Sequence, residues 1–178
     1  GSVAVQEINS DGRCELDSHA DTCVVGEDTA LVILDFGRQV NVYGYDENVG
    51  DMRQCKTVSA VVAYDHPGTG EVYMLVIHQA ILLPKMKTNL LCPMQMRDND
   101  LRVNDEPKHM ALNPAETDHA ISIKDTTGEE VLLIPLLMKG VTSYFSTRKP
   151  SLQEWEASDL GLRIDLTAEE PEWDPATT

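Results

Sequence analysis

The sequence predicts an all-β protein with few short helices, in a closed or sandwich-like arrangement. Three observations lead there. Short runs rich in β-branched residues recur along the chain, clusters of Asn, Asp, Gly and Pro separate them, and helical periodicity is nearly absent.

Residues 3–8 alternate apolar and polar and read as a strand, turned by 9–12 into a short strand at 13–17. Runs 29–36 and 39–43 read as two strands on either side of Gly37, and 48–51 as a loop tip around Gly50. Runs 58–64 and 71–83 form a hairpin through the Asp, Pro and Gly residues of 65–70. Runs 120–124 and 130–137 form a second hairpin through 125–128, and 141–145 and 162–166 are shorter strands. Pro93 suits the first turn of a helix over 93–99, and Ser151 with Glu154 forms a capping pair before Trp155. The stretch 104–118 reads as a loop, and 167–178 as an acidic tail or linker.

Composition bounds the function. The 178 residues suit one domain, or one domain with an appendage, large enough to build a core without disulfides or metal. Thirty acidic against fourteen basic residues give a net charge of −16. Nucleic acid and anionic membranes bind through Lys and Arg, so neither is expected as a partner. No apolar run is long enough to span a bilayer. Cys14, Cys23, Cys55 and Cys92 match no zinc-binding spacing and read as reduced thiols of an intracellular, cytoplasmic protein. His66, His109 and His119 fall in polar sequence and are expected at the surface.

The chemistry concentrates at residues 16–23, Leu-Asp-Ser-His-Ala-Asp-Thr-Cys. Asp17 ends an apolar strand and precedes Ser18. An aspartic protease needs a carboxylate held in a rigid turn, with a neighbouring hydroxyl to tie the turn down. It also needs a second carboxylate close enough to share one proton, so that one acts as base on water and the other as acid. One copy of the turn in a small domain requires a symmetric homodimer to supply the second.

This run, together with 80–92 (Ala-Ile-Leu-Leu-Pro-Lys-Met-Lys-Thr-Asn-Leu-Leu-Cys), resembles the retropepsin-like aspartic protease region of copia-type LTR retrotransposon polyproteins, in a subgroup carrying Asp-Ser-His-Ala-Asp-Thr-Cys. The resemblance implies a closed β-barrel of the acid-protease type over 3–105, followed by a β-rich C-terminal extension over 106–166. It implies a polypeptide substrate bound as an added strand and no cofactor. Asp17 would activate water, Ser18 would lock the turn and His19 would line the cleft. Ala20, Tyr43, Gly44, Tyr45, Leu91 and Cys92 would contact substrate, the tyrosines from a flap over 43–51. The second matched stretch would brace the catalytic loop and lead into the helix at 93–99. The chain departs from the family at His19 and Cys92, where the family carries glycine.

Two other readings remain open from the residues. One is a catalytically inactive retropepsin-like binding or structural domain. The other is a metal-binding hydrolase. No metal is expected in the leading reading, but Asp17, His19, Asp21 and Cys23 share one face if the run is extended. His19, Asp21, Cys23 and His78 would then be the ligands, with Cys92 within reach. A Cys–His nucleophile pair built from Cys23 or Cys92 with His19 or His78 is conceivable, but nothing in the spacing prefers it.

Overall fold

The computed structural model describes residues 12–42, 53–105 and 118–170. The expected strand at 3–8, the flap with Tyr43, Gly44 and Tyr45, the loop tip at Gly50, and His109 lie outside the described residues. Among the described residues the chain is mostly β-sheet with two short helices, as the sequence predicts. Nine strands form one sheet, along the path β10-β11-β1-β6-β2-β5-β4-β3 with β12 added on β5; a second sheet has the order β7-β8-β9. The expected closed barrel is not found among the described residues. The path is open because its terminal strands, β10 (Leu137–Lys139) and β3 (Leu31–Val42), do not pair with each other.

One insertion organises the sheet. β1 (Arg13–Leu16) and β2 (Val24–Val25) follow one another in the chain, yet they are not neighbours. β6 (Asn89–Leu91) lies between them, parallel to β1 with Leu16 opposite Leu91, and antiparallel to β2 with Val24 opposite Leu90. From β6 the chain runs directly into helix α1 (Pro93–Asp98), with Pro93 in the first turn as its lost N–H allows.

The strongest local signals hold. β4 (Arg53–Asp65) and β5 (Val72–Leu82) form the long hairpin, and the His66 Nδ1 accepts N–H groups from Gly68 and Thr69 to close its turn. β8 (Ala120–Lys124) and β9 (Glu130–Pro135) form the second, with β7 (Arg102–Asn104) beside β8. Helix α2 (Leu152–Ala157) is capped by Ser151, whose Oγ accepts the Glu154 N–H at 3.0 Å. β3 is one strand rather than two. Gly37 does not end it but takes φ +70°, its N–H bonded to Asp35 Oδ1, and a register shift absorbs the irregularity. His119 is buried, not at the surface, with Nε2 3.1 Å from Ser143 Oγ.

The C-terminal third belongs to the same core. β11 (Thr142–Ser146) pairs with the free edge of β1, setting Cys14 opposite Phe145. β12 (Arg163–Asp165) lies parallel to β5. Phe145 meets Tyr64 edge-on at 6.0 Å between ring centroids, and one apolar cluster joins Leu16, Val58, Leu75, Ile121, Phe145 and Leu166. Thr147, just after β11, bonds Gly12 O through its N–H. Thr167, at the start of the expected tail, is 1% exposed.

Phe145→Ala should therefore destabilise the fold by about 3–5 kcal/mol in urea titration. A chain ending at Asp105 lacks the strand beside β1 and should show no cooperative unfolding transition. A stable, cooperative 1–105 fragment would contradict this account of the core.

Candidate functional site

Asp17 sits where β1 ends, and its position is set by the strand inserted beside it. Its N–H donates to Leu91 O at 3.0 Å, continuing the β1–β6 ladder by one bond. Its carbonyl accepts the Ala20 N–H at 3.1 Å, and its carboxylate Oδ1 accepts the His19 N–H at 3.0 Å. This is a turn in which the Asp side chain mimics a backbone acceptor, a role short carboxylates fill readily. The turn is thus tied by Asp17 itself, with Ser18 and His19 exposed at its corner and Asp17 partly exposed.

The return leg of the loop is held from inside. The Cys92 thiol donates to Ala20 O at 3.1 Å, and the Cys92 N–H donates to Cys23 Sγ at 3.1 Å. The Cys23 N–H donates to Gln95 Oε1 at 2.7 Å. Below them Asn89, fully buried, accepts from Gly26 N–H and Thr29 Oγ1, both at 3.0 Å, which fixes the chain just after β2.

Several expectations change here. Leu91 and Cys92, placed along the substrate cleft by the sequence, are both 0% exposed. β6 is paired on both edges, so these residues brace the loop from behind. The shared face of Asp17, His19, Asp21 and Cys23 requires an extended run, and the run instead turns at Ser18–His19 and bends at Asp21–Thr22. Cys23 points inward while Asp21 stays exposed. Among the described residues no group of three or more His, Cys, Asp or Glu side chains is placed to hold a metal ion.

His78 is committed elsewhere. Its Nδ1 lies 2.7 Å from Ser59 Oγ and its Nε2 2.9 Å from Asp165 Oδ1, while Thr167 Oγ1 accepts its N–H and donates to its carbonyl. Ser, His and Asp are in sequence here, but the arrangement is inverted for hydrolysis. Ser59 is 1% exposed and unreachable, whereas the Asp165 side chain is 63% exposed. The set is a clasp that fixes the segment after β12 onto β5.

The thiols are not poised as nucleophiles. Burial pushes Cys23 far above the ordinary thiol range, against a weaker opposing hydrogen bond from Cys92. Burial raises Cys92 as well. Burial also pushes Cys14 up to about 11, partly offset by Thr147 and Asn89. Neutral thiols are poor nucleophiles, and the side chains are engaged elsewhere: the Cys92 thiol donates to Ala20 O, and the His78 ring nitrogens lie against Ser59 and Asp165.

No family model, curated protein or solved structure matches the chain.

The braces that sequence patterns missed are Asn89 and Gln95. Asn89 stood within a motif without an assigned role, and Gln95 carried no signal at all. A polar residue on the apolar side of a short helix would have been the only clue.

The thiols also make stability depend on alkaline pH. A thiol whose pKa rises on folding binds its proton more tightly in the native state, so stability is complete below the unfolded value of 9.0 and falls as pH rises toward about 11 for Cys14. The loss is about 1.4 kcal/mol per pH unit for each such thiol. Urea titrations at about pH 8 and about pH 10 should show it. Unchanged stability between them would mean that the thiols are solvated in the native protein.

Proposed function

We propose that the chain is a retropepsin-like aspartic endopeptidase that processes a retrotransposon polyprotein inside the cell, as a homodimer in which Asp17 from two copies shares a proton and activates water. The observation that supports this most is the placement of Asp17. The two matched stretches, far apart in sequence, pair as adjacent parallel strands and place a partly exposed carboxylate in a hydrogen-bonded turn. That is the local geometry a shared-proton dyad requires, since a carboxylate held by preformed bonds needs no reorganisation during reaction.

The replacement of glycine at His19 is compatible with this turn. Among the described residues the non-glycine positions with positive φ are Gln79, Asp100 and His119. His19 is not one of them, so its side chain costs no left-handed strain, and it stands exposed at the corner of the turn. In the dimer its imidazole would line the cleft. The same exposed side chain also favours a second reading, a catalytically inactive descendant that binds peptide, because a bulky ring narrows the approach that glycine leaves open.

Cleavage of unstructured polypeptides, assayed from acid to neutral pH beside sedimentation, separates the two readings. Asp17→Asn should keep the fold and the dimer and lower turnover by about 10²–10⁴-fold. Each copy carries −16, so association should tighten as salt screens the repulsion. Full activity in Asp17→Asn, or activity in a species that remains monomeric, would overturn the dyad. A folded dimer that cleaves nothing at any pH would favour the inactive descendant.

A further inference from the structure

One buried side chain joins the return leg of the Asp17 loop to a bulge in the neighbouring strand β5. Gln95, on α1, is 9% exposed. Its Oε1 accepts the Cys23 N–H at 2.7 Å and its Nε2 donates to Gln79 O at 3.4 Å. Gln79 is itself unusual. It takes φ +55° without being glycine, in the bulge where β5 carries an extra residue opposite Ser59. Such backbone persists only where its surroundings over-determine it, and these outliers concentrate at functional sites. The Gln79 side chain supplies part of that constraint. It accepts from Arg38 Nη2 at 3.0 Å on β3 and donates to Glu169 O at 2.8 Å.

Each leg of the loop has a backbone anchor, and the return leg has a side-chain anchor besides. The outgoing leg is held by the backbone bond from Asp17 N–H to Leu91 O. The return leg meets β5 through the backbone bond from Ile81 N–H to Cys23 O at 2.9 Å, and the Gln95 side chain carries the other backbone group of Cys23, its N–H, across to Gln79 O. We infer that Gln95 is a positioning residue of the Asp17 site, setting the loop against the left-handed bulge at Gln79 and so fixing where the carboxylate stands. The inference rests on the protease reading for its catalytic consequence. Loss of the Gln95 bond loosens the return leg at Cys23 while Ile81 and Cys92 still hold it, and displacements of about 1 Å in a reacting group can cost about a hundredfold in rate.

The test is Gln95→Met, which keeps length and packing but removes both hydrogen bonds. In the full-length dimer, kcat should fall about tenfold or more while KM stays within about twofold. Amide exchange at Cys23, read by NMR, should accelerate while exchange at Leu75 in β5 does not. Gln95→Glu, assayed at acid pH where a buried carboxyl is neutral, can still accept from Cys23 and donate to Gln79, and should recover both readouts. The inference is overturned if Gln95→Met keeps wild-type kcat, if Cys23 and Leu75 lose protection together, or if the Glu variant at acid pH recovers neither readout. Should Gln95→Met fail to fold, the Glu variant decides alone. The protease reading fails separately, through the Asp17→Asn assay. If it fails, exchange at Cys23 still shows whether Gln95 holds the loop.

Discussion

The threading of β6 between β1 and β2 is the constraint on which the rest of the molecule depends. A strand placed between two consecutive strands must satisfy backbone groups on both edges, or the buried N–H and C=O groups cost more than the apolar contacts return. Asn89 begins this strand and is fully buried. Its carboxamide accepts from Gly26 and Thr29, so the residue that opens β6 also holds the chain leaving β2. Loss of that amide would leave the Gly26 N–H without an acceptor inside the core. The Asp17 loop is then what remains of the chain between β1 and β2 once β6 has taken the space between them.

The C-terminal third closes the other side of the same construction. With β6 on one edge of β1, the other edge would be an unpaired row of backbone groups, and β11 covers it. Arg148 then ties this segment to the long hairpin. Its backbone exchanges both bonds with Ala63, and its guanidinium pairs with Asp65 and Glu154. Partly exposed charge pairs of this kind add little net energy, but they fix where the strand lies. Farther along, the His78 clasp seats Asp165 and Thr167 on β5. The extension is thus structural support for the strand that carries Asp17.

The parts of the fold that were legible in the sequence are those whose signal is local. The turns at 65–70 and 125–128 carry Asp and Gly, the first also Pro, in positions dictated by turn geometry, and both hairpins follow them. Ser151 declares its helix for the same reason. β2, with two residues, and β6, with three, are too short to show any period, and they pair only through contacts distant in sequence. Nothing local in their residues announces that pairing. Gly37 misled because a glycine in a strand is read as a break, whereas here it makes a bulge within one strand. The end of β1 beside Asp17 was legible, since a short apolar run closed by polar residues is a local pattern, but Asp followed by Ser carries no chemistry by itself. The facing of the neighbours of Asp17 was not legible, because a period of two holds only while the backbone is extended, and the turn begins at the next residue. His119 was misjudged because polar sequence around a residue does not reveal a partner such as Ser143, reached only after folding.

The side chains at residues 19 and 92, where the proposed family reading expects glycine, have opposite physical solutions. At residue 92 the side chain faces inward, and the thiol finds an acceptor in Ala20 O while the residue's own N–H finds Cys23 Sγ. Two thiols, small and weakly polar, thus bond across a space in which a hydroxyl pair would need further partners. At residue 19 the side chain faces outward, where it meets no packing constraint and its N–H is already spent on Asp17. The inward side chain therefore tightens the loop, and the outward one alters only what the loop presents. On this geometry His19 bears on what can approach Asp17, while Cys92, Cys23 and Gln95 bear on where Asp17 stands.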